Sequence, residues 1–164
     1  MPASKTVASP IVSADEGPSR RTVASLPRVL VVDDEVVDAD TITKILSLNG
    51  YAANAAYDGD SALECARLKP PHLLLTDIVL PGINGIVLAQ TVKRVYPECR
   101  ILLFSGQAST VDLLASAHRG GHRFTLLGKP LPPEELLAHV ARQLSPSPGS
   151  AESQGSLRGS QPIQ

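Results

Sequence analysis

The chain has 164 residues, 43% of them hydrophobic, with a formal net charge of −1. That size and apolar share suit one ordinary domain plus some tail. The near-neutral balance argues against a nucleic-acid binder held by phosphate contacts, and the two cysteines, Cys65 and Cys99, lack the spacing of a zinc site or a disulfide framework.

Residues 1–26 are rich in Ser, Ala, Pro and Thr without sustained periodicity, and 145–164 are poorer still in apolar residues. Both read as disordered tails around a domain at 27–144. The N-terminal stretch has no continuous apolar centre and carries Asp15 and Glu16, unlike a secretory signal, and no run is long enough to cross a bilayer. A soluble cytoplasmic protein is expected.

Within the domain, "RVLVVD" (28–33) predicts a first strand, followed by a helix with Val37, Ile42, Ile45 and Leu46 on one face and a stop at Asn49-Gly50. "YAANAAY" is a weak strand. "DGDSALECARLK" turns helical behind Asp58 or Asp60 as cap. "HLLLTD" (72–77) is a third strand, buried on both faces. "NGIVLAQTVKRVYP" is a helix capped by Asn84 and stopped by Pro97. "RILLFSG" is the fourth strand, "STVDLLASAHRGG" a helix, and "RFTLLGKP" the fifth strand. "PPEELLAHVARQL" closes the domain, with prolines and glutamates in its first turn as a helix start prefers.

Five short strands alternating with five helices predict a doubly wound α/β fold, a parallel sheet with right-handed crossovers and helices on both faces. Ligands of such sheets bind beyond the carboxyl ends of the strands. The residues leaving those ends are Asp33-Asp34, Asp77, Ser105-Gly106 and Lys129-Pro130. Three carboxylates on one rim repel, by roughly 4 kcal/mol per pair at about 4 Å and an effective dielectric near 20. A cation relieves that, and an all-oxygen set suits Mg²⁺. Asp77 is then a candidate nucleophile toward a phosphoryl group. Asp33 and Asp34 are candidate metal ligands with Asp77, while Lys129 and Ser105 are candidate donors to phosphoryl oxygens.

This set resembles the receiver domain of two-component response regulators. The likeness rests on the acidic pair Asp33-Asp34, the aspartate Asp77 with "DIVLPGING", the hydroxyl of Ser105, and "KP" at 129–130 followed by "PEELLAHV"; it spans about residues 27–144. The resemblance implies a flavodoxin-like (βα)5 fold with strand order 2-1-3-4-5 and a cis Lys129–Pro130 bond. It also implies Mg²⁺-dependent transfer of a phosphoryl group to Asp77 from a histidine kinase or histidine phosphotransfer protein. Phosphorylation would shift a two-state equilibrium, with Ser105 drawn toward the phosphoryl group and the fourth helix region rearranging.

The expected role is signalling by protein contact through the fourth helix, fifth strand and fifth helix, a region that includes His118, Arg119, His122 and Arg123. A stand-alone receiver with no DNA-binding output domain is expected, with no direct nucleic-acid contact and no turnover of an independent substrate. A phosphorelay shuttle is the alternative. Two positions depart from the pattern. Leu126 stands where receivers carry an aromatic switch residue, with Phe124 two residues earlier on the same side. Val79, two after Asp77, cannot orient a hydrolytic water, so slow loss of the phosphoryl group is expected.

Blander readings compete. An aspartate at a strand end is usually a helix cap, Ser105 alone a turn residue, Lys129 alone a solvated charge, and Gly82 and Gly85 turn glycines. The four histidines have no ligand spacing. A haloacid-dehalogenase-type phosphohydrolase would need an acid at position 79. A flavodoxin-like ligand domain would need a phosphate-cradling loop where Asp33-Asp34-Glu35 stand.

Overall fold

The structure, a computed structural model, describes residues 25–106 and 110–146. Nearly all of both expected tails lies outside the described residues. The elements run β1 (Arg28–Val32), α1 (Val36–Leu48), β2 (Ala52–Ala56), α2 (Gly59–Leu68), β3 (Leu73–Asp77), α3 (Gly85–Val95), β4 (Arg100–Ser105), α4 (Thr110–Arg119), β5 (Thr125–Gly128) and α5 (Pro133–Leu144). The five strands form one parallel sheet in the order β2-β1-β3-β4-β5, as expected.

Period-two alternation divides the core into two layers. Val29, Val31, Leu73, Leu75, Leu102 and Phe104 face α1 and α5, where they meet Leu46, Leu136 and Val140. Leu30, Val32, Leu74, Ile101 and Leu103 face the other side, against Ala62 and Ala66 of α2 and Ile86, Leu88, Ala89 and Val92 of α3. Successive strand side chains point to opposite faces, so a strand that must bury both reads as an unbroken apolar run. Asp58 caps α2, its carboxylate accepting from Ser61 N–H, and Asn84 caps α3 by accepting from Val87 N–H. Ala-rich β2 forms at the sheet edge because all five of its residues pair with β1, a case of tertiary pairing overriding poor intrinsic propensity. Cys99 is a core residue, and burial pushes its thiol up to about 11. Among the described residues, no helix is long and apolar enough to cross a membrane.

Candidate functional site

Four of the strands, β1, β3, β4 and β5, bring the residues at their carboxyl ends to one rim of the sheet. Val32 pairs with Thr76, which sets Asp33 beside Asp77; Asp77 pairs with Phe104; Ser105 pairs with Gly128, one residue before Lys129. The ladder continues past the last strand pairs, since Asp33 N–H donates to Ala56 O and Lys129 N–H to Ser105 O. The rim residues are therefore held by sheet hydrogen bonds rather than by loops of their own.

Asp33 is wholly buried, and Asp77 and Ser105 are nearly so, while Asp34 is exposed. One carboxylate oxygen from each of Asp33, Asp34 and Asp77 lies within 4.8 Å of the others. Lys129 Nζ reaches into this group, donating to Asp33 Oδ2 at 2.7 Å and to Asp77 Oδ2 at 3.1 Å. The same ammonium sits 4.6 Å from the centre of the Phe104 ring, within cation–π range. Burial pulls the lysine's pKa down, but the hydrogen bonds and charges of Asp33 and Asp77 outweigh it, and the net displacement is upward. Backbone groups complete the two carboxylates: Asp33 Oδ1 accepts from Glu35 N–H and Asp77 Oδ1 from Val79 N–H, both at 3.0 Å.

All five residues singled out from sequence thus stand on this rim, with Lys129 joined directly to Asp33 and Asp77. Glu35 occupies the N-cap of α1, though its side chain makes no capping hydrogen bond. The bond Lys129–Pro130 is cis. Gly82, at φ 79°, is a turn glycine as expected. Gly85 is there for a different reason: its N–H donates to Ile78 O, and a Cβ on it would overlap the carbonyl oxygen of Asp77. Phe124 is buried on the α2–α4 side with Leu126 packed near it, and its ring stacks on His122 at 5.6 Å. It precedes β5, four residues before the Gly128 that pairs with Ser105. At about 3.3 Å per strand residue that is roughly 13 Å along the sheet. Sequence reasoning missed two contributors, Phe104 and Asp38, the latter 3.6 Å from Lys129 Nζ.

Asp33, Asp34 and Asp77 cluster around a pocket into which a single ammonium reaches, so carboxylates outnumber cations there. Its donors are all oxygens, close enough to share one ion. Both properties fit a hard divalent cation such as Mg²⁺, with Asp33, Asp34 and Asp77 as the residues that would hold it.

Comparison with known proteins gives a consistent result. The response regulator receiver domain family matches residues 29–141. The DNA-binding response regulator MtrA of Mycolicibacterium paratuberculosis is 34% identical over 117 residues, covering 71% of this chain and 51% of that protein. The chain spans about half the length of the curated relatives it matches. Among solved structures, the receiver domain of NtrX from Brucella abortus is similar with a TM-score of 0.63 and 34% identity, over 71% of this chain and 97% of that one. The CheY-like receiver domain protein from Methanospirillum hungatei JF-1 is similar with a TM-score of 0.66 and 26% identity, over 73% and 94%.

Proposed function

Because the chain belongs to the response regulator receiver domain family of two-component systems, we propose that Asp77 is its phospho-acceptor. Receiver domains take phosphate from histidine kinases, and a kinase or a histidine phosphotransfer protein is the donor in this reading. A carboxylate oxygen of Asp77 attacks phosphorus, the phosphorus–nitrogen bond of the phosphohistidine breaks, and its electron pair leaves on the imidazole. In this reading Lys129, which hydrogen-bonds Asp77, and Ser105, which ends the neighbouring strand, donate to phosphoryl oxygens, acting by orientation and charge rather than by covalent help. Mg²⁺, when bound by Asp33, Asp34 and Asp77, supplies neutralising charge for the incoming phosphoryl group.

The observation that carries this reading is the lysine bridge. Residues 33, 77 and 129 are far apart in the chain, yet one ammonium hydrogen-bonds both buried carboxylates. A capping or solvated role for any one of them would not require that convergence. Val79, where a phosphohydrolase of the related chemistry would place its acid, donates only a backbone N–H. Turnover of an independent phosphate ester is accordingly not expected. The phosphorylated domain then signals through protein contact at the α4–β5–α5 face.

Intact mass after incubation with acetyl phosphate and Mg²⁺ tests the chemistry. One phosphoryl group should appear on the wild type and none on Asp77→Asn. Labelling of the variant, or none on the wild type, would end this reading.

A further inference from the structure

Asp38 is a fourth carboxylate at the site, outside the trio that fits a metal. It lies in the first turn of α1, and its Oδ2 is 3.6 Å from Lys129 Nζ, against 2.7 Å for Asp33 and 3.1 Å for Asp77. Its side chain is 53% exposed, whereas that of Asp33 is fully buried. The lysine side chain is 21% exposed and is not enclosed on every side. Along α1 and α5 it borders an open cleft of about 480 Å³, whose walls include Asp38, Ile42, Phe104, Leu131 and Leu136. A flexible lysine stem beside open space takes its position from the charges around its tip. Three carboxylates and one aromatic face are those charges here.

We propose that Asp38 is a positioning residue for Lys129, keeping the ammonium over the pocket when Asp33 and Asp77 are otherwise engaged. The inference rests on the reading of Asp77 as phospho-acceptor. Asp33 and Asp77 both belong to the set that would hold Mg²⁺, and Asp77 is also the residue that would carry the phosphoryl group. Either event draws on the lone pairs that now fix the lysine. Asp38 belongs to neither set, and its contact stays available throughout. Without it, the ammonium is free to swing along the cleft, away from the oxygens it must meet. A half-exposed ion pair adds little to stability, so the effect lies in where Lys129 points, not in whether the domain folds.

Asp38→Asn and Asp38→Glu in the full chain test this, read by acetyl phosphate labelling rate, thermal melting and ¹⁵N NMR of the Lys129 ammonium with Mg²⁺ present. Asp38→Asn should label about three- to fivefold more slowly, with an unchanged melting temperature and faster water exchange of the ammonium protons. Asp38→Glu should recover much of the rate. The deficit should shrink near 1 M salt, where the Debye length is about 3 Å. Wild-type labelling by Asp38→Asn overturns the proposal, and so does a slower rate with an unaltered ammonium signal. If the wild type accepts no phosphoryl group at all, the functional reading fails instead, and the ammonium signal alone decides whether Asp38 holds Lys129.

Discussion

β3 and β5 each end in a residue of the pocket, but they hold it by opposite means. β3 is central, paired on both sides by β1 and β4, and all five of its residues are buried. β5 is a four-residue edge strand with one neighbour, and only Leu127 in it is buried. Asp77 is thus placed by packing on both faces of the sheet, and Lys129 by charge at the end of a flexible stem. The proposed acceptor thus stands on a fully buried strand paired on both sides, while its electrostatic partner follows an edge strand paired on one.

Substitutions within the two strands should expose that asymmetry. Leu75→Ala removes a side chain with no exposed surface and should cost about 2–5 kcal/mol. Leu126→Ala, half-buried at the edge, should cost about 1 kcal/mol; denaturant unfolding measures both, and equal losses would erase the contrast. Lys129→Gln removes the ammonium and keeps the strand, so it should slow labelling by acetyl phosphate about a hundredfold with Asp77 still in place. A rate near wild type would mean that the lysine only neutralises charge.

Val79 sharpens the comparison from the loop beyond β3. The residue is 44% exposed and its side chain is apolar, so no side-chain group at that position orients a water toward Asp77. The phosphorylated domain should lose its group slowly, and Val79→Asn should hasten the loss several-fold; a wild-type half-life of seconds would contradict this.

The smallest effect belongs at the far end of β3. His72 Nδ1 accepts from Arg28 N–H, which requires an unprotonated nitrogen, and burial, then the Arg28 charge, lowers its pKa below 6.5. Stability from that contact is complete above about pH 6.5. It is lost as pH falls through the lowered folded value, because the unfolded chain takes up the proton first. His72→Gln should flatten the pH dependence of melting in that window.

The same contrast between the strands separates what was readable in the residues from what was not. β3 announces itself as an apolar run ending in an acid, and its expected span, 72–77, differs from Leu73–Asp77 by one residue. The strand-end set of Asp33, Asp34, Asp77, Ser105 and Lys129 follows from topology, because a parallel sheet brings all carboxyl ends to one rim. Asp38 was out of reach, since its role depends on which way a lysine 91 positions later leans, and no periodicity encodes that. Phe104 looked like core and is core, yet its ring face also meets the ammonium. Gly85 resembled one more turn glycine, and the backbone it must avoid belongs to a strand eight residues earlier.

The backbone bond from Lys129 N–H to Ser105 O has a mechanical consequence. It joins the hydroxyl-bearing residue and the cation-bearing residue in a single rung, so a shift in one main chain bears directly on the other. A tug on Ser105 from a newly arrived anion would be felt at once in the peptide that feeds Pro130 and α5. Acceptance of the group and its announcement to the outer helix would then be one movement rather than two.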